Sequence, residues 1–173
     1  MGWKGLCYVE LRCHACKDDM HSMYGPIVPN AAWRLIWALN TIKDENDRIT
    51  IDHFYDDIIP PDQEEMDFLE QMNYDGQSVL KANGIDHFIN NLSGTALKEK
   101  LLYEPTANIA GIESGYTGEG SKTVIPSYAF CKIDFRLVKR QDAERVVKLL
   151  REHLDRRGFT DIEVIEYSGK NPY

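Results

Sequence analysis

From Ser127 to Val138 the chain alternates between apolar and polar residues. Ala129, Cys131, Ile133, Phe135 and Leu137 fall on one side, and Phe130, Lys132, Asp134 and Arg136 on the other. Successive side chains of a strand point to opposite faces, so this is a strand with one face in a core and one face outside it. Leu6 to His14 repeats the pattern, with Cys7, Val9, Leu11 and Cys13 against Tyr8, Glu10, Arg12 and His14. Two long one-sided strands call for a sheet covered on a single face.

Two helices are available as cover. Ala31 to Leu39 follows Asn30, a good N-cap. Asp142 to Arg157 carries Ala143, Val146, Val147, Leu150 and Leu154 on one stripe, with Gly158 where a C′ residue belongs. His153, close to the end of this helix, is placed where a cation is favoured. Ala107 to Glu113 and Asp161 to Tyr167 read as further strands, and Ile49 to Ile51 as a short one. Between them the texture changes. Pro60-Pro61 opens an acidic amphipathic run from Asp62 to Met72, with helical patterns near Gln77 to Ala82 and Thr95 to Tyr103.

The order is β-α-(insertion)-β-β-α-β. The expectation is an α+β, ferredoxin-like split βαβ sandwich: a four-stranded antiparallel sheet, two helices on one face, and a helical insertion over 43–106 within a single domain, 1–173. In that arrangement the first and last strands pair, and the chain's start lies beside its end. This is what a domain inserted into another domain requires. The Ala31 to Leu39 helix is apolar nearly all round, and Trp33 and Trp37 stand at i, i+4. A helix covering one sheet face needs a stripe of only about 100°. The excess predicts a second buried surface, against another subunit or against the segment that follows the helix.

Composition excludes several functions. A formal net charge of -8 argues against nucleic acid as a partner. An RNA-reading sheet is also set aside because stacked aromatics are not evident on the strands. No apolar run reaches a membrane span, Met1-Gly2-Trp3-Lys4 lacks the apolar core of a signal peptide, and a cytoplasmic setting is expected. Cys7, Cys13, Cys16 and Cys131 are too few for a disulfide scaffold, and Cys13-His14-Ala15-Cys16 lacks the second half of a zinc site. Gly115 to Thr123 resembles a phosphate loop, but Ser121 separates Gly120 from Lys122 and a strand follows, not a helix. The adjacent acids Glu64-Glu65 sit in the first turn of a predicted helix, where the macrodipole favours them. The five histidines have no metal-ligand spacing.

A polar set without a complete reaction remains: His21 in the loop after the first strand, Thr123 in the glycine loop, and Arg136 near a strand end on the uncovered face. An Arg there can bind a carboxylate through two hydrogen bonds, a His can stabilise a developing oxyanion, and a Thr hydroxyl can bond a peptide group.

These residues lie in three motifs that resemble one family. Asp19-Met20-His21-Ser22-Met23-Tyr24-Gly25 is similar to the D-[LM]-H-S segment of M20 metallopeptidases of the carnosine dipeptidase-like and acetylornithine deacetylase-like branch. Gly118 to Pro126 resembles that family's G-x-G-x-K-T-V-I-P stretch, and Lys132 to Val138 its following strand. The resemblance runs through essentially the whole chain. It implies a lid and dimerisation domain of a homodimeric enzyme that hydrolyses dipeptides, acylated amino acids or related amides. It implies a separate catalytic domain holding two zinc or manganese ions. His21 would polarise the scissile carbonyl in the partner's active site, and Thr123 and Arg136 would bind substrate, Arg136 through its terminal carboxylate. The resemblance does not extend to the family's metal-ligand motifs, so no activity is expected of the chain by itself and no cofactor is expected in it. The rival reading is a stand-alone ferredoxin-like regulatory module that binds a small ligand between subunits.

Overall fold

A computed structural model of the chain describes residues 3–173. Residues 1 and 2, on which part of the N-terminal reading rests, lie outside the described residues. In chain order the strands and α-helices are β1 (Gly5–His14), β2 (Met20–His21), α1 (Ala31–Leu39), α2 (Gln63–Gln71), α3 (Gly76–Asn83), α4 (Gly94–Tyr103), β3 (Thr106–Ser114), β4 (Val124–Ile125), β5 (Tyr128–Leu137), α5 (Ala143–Arg156) and β6 (Ile162–Lys170). Four strands form one antiparallel sheet in the order β3-β5-β1-β6, and β2 and β4 form a separate two-stranded ladder.

The two alternating segments lie side by side at the centre. β1 and β5 pair from Gly5↔Leu137 to His14↔Tyr128 without a break. Because the period is two, this register sends Cys7, Val9, Leu11 and Cys13 to the same side as Ala129, Cys131, Ile133, Phe135 and Leu137. All nine are buried, and α1 and α5 supply the cover through Ala31, Leu35, Ala38, Ala143, Val146, Leu150 and Leu154. Full burial of each larger aliphatic or aromatic chain contributes roughly 1.5–3 kcal/mol, which makes this layer the main source of stability.

The helix ends are set by local chemistry. The Asn30 side chain accepts the N–H groups of Ala32 and Trp33 at 2.9 and 3.2 Å, starting α1 where expected. Gly158 follows α5 with φ +79°, a conformation that favours glycine. Asp62 and Glu65 form a capping box at the start of α2, so Glu64 and Glu65 are first-turn acids. β6 pairs with β1, and Trp3 and Tyr173 exchange backbone hydrogen bonds of 2.7 and 3.4 Å. The two ends of the described chain are therefore neighbours.

Two readings are corrected. Ile49 to Ile51 is not a strand: Ile49 makes one isolated bridge with Lys43, and both isoleucines serve as core packing. His153 is not a solvent-facing helix-end cation. It is fully buried, its Nδ1 accepts the Asp52 N–H at 3.2 Å, and its Nε2 lies 2.8 Å from the Thr41 carbonyl. With Nδ1 accepting, Nε2 carries the proton and donates to that carbonyl, so the bonded ring is neutral. It ties α5 to the chain between Thr41 and Asp52. Burial, helped by the Arg157 charge, lowers its pKa from 6.5, outweighing the Asp52 carboxylate. The Arg157 hydrogen bonds hold the Asp52 carboxyl down at about 2, against an ordinary 3.8.

Both shifts favour the fold at neutral pH. A depressed pKa means that the unfolded chain binds the proton more readily, so stability falls as pH falls. The His153 contribution is lost as pH drops below 6.5, and the Asp52 contribution as it drops from 3.8 towards 2. Thermal melts should therefore show Tm decreasing from pH 8 to pH 5, with a second decline in stronger acid. His153→Gln should be less stable at pH 8 by about 1–3 kcal/mol and should flatten the first decline. An unchanged slope in that variant would show that another group causes it.

Candidate functional site

His21 and Thr123 come together although 102 residues separate them. β2 and β4 pair as Met20↔Ile125 and His21↔Val124, and the Ser22 N–H donates to the Thr123 carbonyl at 3.2 Å. His21 also caps a single 3-10 turn, Ser22–Tyr24: its Nδ1 accepts the Met23 N–H at 3.2 Å. In the neutral ring this leaves the proton on Nε2, 3.5 Å from the Thr123 hydroxyl. Both side chains are exposed. An N–H donor and a hydroxyl are thus presented side by side at the surface, a pairing suited to a carbonyl or oxyanion.

A two-residue ladder is a weak scaffold, and a third residue braces it. The Asp19 carboxylate accepts the backbone N–H and the hydroxyl of Ser127 at 2.8 and 2.9 Å. Those bonds hold the Asp19 carboxyl below its ordinary range. Sequence reasoning missed this role, because only the fold brings Asp19 to Ser127.

Arg136 lies elsewhere. It is near the far end of β5, eight residues beyond Tyr128, while His21 and Thr123 lie just outside the Tyr128 end. At about 3.4 Å per residue those ends of β5 are roughly 27 Å apart, whereas an extended dipeptide spans about 7 Å. The His21–Thr123 pair and Arg136 of one chain cannot hold the same small substrate. The Arg136 side chain is about half exposed (53%), and its nearest acid, Asp134 at 3.8 Å, already accepts from Asn108 at 2.8 Å.

The uncovered sheet face is more structured than its polar pattern predicts. Glu10 on this face is only 4% exposed. Burial would raise its pKa, but hydrogen bonds from Arg12 and Tyr167 prevail and keep its carboxyl below the usual range. Aromatic rings do meet on this face, in tilted and not stacked pairs: His14 and Tyr128 lie 4.6 Å apart, and Tyr128 and Phe130 6.0 Å, between ring centres. The buried Glu10 carboxylate beside them remains unfavourable to a phosphate backbone.

The glycine-rich stretch runs into β4 and β5, not into a helix. Cys13 is a buried core residue, and burial pushes its thiol up to about 11. Among the described residues, no cluster of three or more His, Cys, Asp or Glu could hold a metal ion. The donor set here does not fit the metal pair that the resemblance implies, and no chemical step is assigned to a metal on this chain.

The fold and the paired loop motifs define a class. A profile of the peptidase dimerisation domain matches residues 2–161, and the chain belongs to this M20 family. It is 28% identical to the Cys-Gly metallodipeptidase dug1 of Schizosaccharomyces pombe, over 88% of this chain and 32% of that protein. It is 28% identical to the Beta-Ala-His dipeptidase of Rattus norvegicus, over 99% of this chain and 36% of that one. The structure of an M20 family metallo-carboxypeptidase, Sso-CP2 from Sulfolobus solfataricus, superposes with a TM-score of 0.93 and 38% identity, over 99% of this chain and 44% of that chain. The chain therefore spans about a third of the curated relatives it matches.

If Asp19 braces the ladder, Asp19→Ala should loosen it locally. Loss of two charge-assisted bonds, discounted for their exposure, is worth roughly 1 kcal/mol. Hydrogen exchange at the Ser22 and Ser127 amides should quicken about fivefold to tenfold, with the β1–β5 amides unchanged. Equal acceleration across the whole sheet would mean that Asp19 supports the fold generally and not the ladder.

Proposed function

We propose that this chain is the lid and dimerisation domain of a metal-dependent M20 peptidase, a dipeptidase or related amide hydrolase. In this reading it is inactive alone and completes active sites held by a separate catalytic domain. The observation that carries the reading is the separation of His21 and Thr123 from Arg136. Each group suits part of a peptide substrate, and one chain holds them too far apart for a dipeptide. Two copies resolve this: His21 and Thr123 of one subunit serve the site to which the other subunit brings Arg136. Family membership and the motif order support the assignment.

The geometry fits a homodimer through α1 and the edge of β3. On α1, Trp33, Ile36 and Trp37 are 55%, 43% and 55% exposed, and the two indoles stack at 6.1 Å. Ile109 and Ile112 on β3 are 52% and 54% exposed. β3 has a free edge, and α1 packs over β1 and β5 on that side of the sheet. An open edge beside an apolar helix suits two-fold pairing that extends the sheet.

The finer parts of the proposal follow. The architecture is ferredoxin-like, supported by the strand order and the crossover through each helix. The chain is one domain, 1–173, with 43–106 as an insertion carrying α2 to α4. The catalytic domain would hold the zinc or manganese ions. The substrate would be a peptide or acylated amino acid bound by Thr123 and Arg136, with His21 donating through Nε2 to the scissile carbonyl. The cysteines, all free, suit a reducing cytoplasmic setting; no helix among the described residues is long and apolar enough to cross a membrane.

In the full-length enzyme, His21→Ala should lower kcat about 100-fold or more with little change in KM. Arg136→Ala should raise KM at least about tenfold for substrates with a free C-terminal carboxylate. Unaltered kinetics in both variants would remove the proposal. Sedimentation should show a dimer that Trp33→Glu with Trp37→Glu weakens by at least about thirtyfold.

A further inference from the structure

One end of the uncovered sheet face brings two cations together, in a chain whose net charge is -8. Leu6 pairs with Arg136, and Lys4 lies two residues before Leu6. Continuing the alternation of β1, Lys4 is on the Arg136 side of the sheet and diagonal to it, with Cα atoms roughly 7–8 Å apart. The Lys4 ammonium donates to the Glu104 carbonyl at 2.5 Å. Glu104 lies two residues before Thr106, which pairs with Arg136 from the opposite strand. The lysine side chain therefore reaches from the start of β1 across the end of β5, past Arg136.

Among the described residues, neither cation has a carboxylate within hydrogen-bond distance. Among the described residues Lys4 has no carboxylate at ion-pair distance, and the Glu104 carboxylate is engaged by Lys100 at 2.9 Å. The nearest acid to Arg136 is Asp134, which is shared with Asn108. Burial lowers the Lys4 pKa, and the Arg136 charge adds to that against the pull of Glu104. Two neighbouring like charges, one half-buried with spare donors and one exposed with a planar fork, are relieved by a shared anion.

We propose that Lys4 and Arg136 together form the carboxylate-binding pair of this domain. Arg136 supplies two parallel hydrogen bonds and Lys4 a point charge on the same terminal carboxylate of the substrate. This rests on the reading of Arg136 as the carboxylate ligand, and Lys4 is the added residue.

The test uses the full-length enzyme, a dipeptide with a free C-terminus, and the same dipeptide as its C-terminal amide. Lys4→Met should raise KM for the acid about tenfold, leave kcat within about twofold, and leave the amide unaffected. Lys4→Arg should restore most of the loss. Lys4→Gln, which keeps hydrogen bonding but not charge, should behave like Lys4→Met, and it serves if the methionine variant folds poorly. A general loss of folding would depress acid and amide alike, so the acid-to-amide ratio isolates the carboxylate contact. If Lys4→Met and Lys4→Gln leave that ratio unchanged while Arg136→Ala lowers it, the pair is wrong and Arg136 acts alone. If Arg136→Ala also leaves it unchanged, the underlying reading falls and this inference with it.

Discussion

The uninterrupted antiparallel ladder between β1 and β5 is the constraint on which the rest depends. Its register places nine buried side chains on one face and gives α1 and α5 a single surface to cover. The same ladder fixes the separation of the chemistry. The loop after β1 and the loop before β5 emerge together at one end, where His21 meets Thr123, while Arg136 stands near the other. A register slip of one residue would turn Arg136 into the core and Phe135 into solvent, so fold and site stand or fall together.

Much of this is written in local pattern. The alternation in β1 and β5, the Asn30 cap, the stripe on α5 and Gly158 after it all have short-range physical causes that a single sequence displays. The helices of the insertion begin and end within a residue or two of their expected places because capping residues such as Asp62 mark them. Ile49 and Ile51 misled for a related reason: two β-branched residues with polar neighbours look the same in a strand and in an irregular segment that buries them.

What was hidden depends on distant partners. Two residues cannot display a period, so the β2–β4 ladder left no signal, and Asp19 acquires a role only when Ser127 arrives 108 residues later. The placement of His153, by contrast, is local. Its spacing from Val146 and Leu150 puts it on the buried stripe of α5, and that pattern outweighs the preference for a cation in the last turn. The aromatic cluster on the open face leaves no local signal because its members come from different strands, and only the β1–β5 register brings His14 to Tyr128.

The central claim is that one copy supplies His21 and Thr123 while the other supplies Arg136 to the same site, and subunit mixing tests it most directly. Full-length enzyme carrying His21→Ala is combined with enzyme carrying Arg136→Ala under conditions that let subunits exchange. Each variant alone should be nearly inactive at substrate concentrations below KM. In a hybrid dimer, one of the two sites regains both groups. Random pairing of equal amounts should therefore restore about a quarter of wild-type activity. A mixture no more active than the mean of its two components, with exchange verified, would contradict the account and place both groups in the service of a single chain.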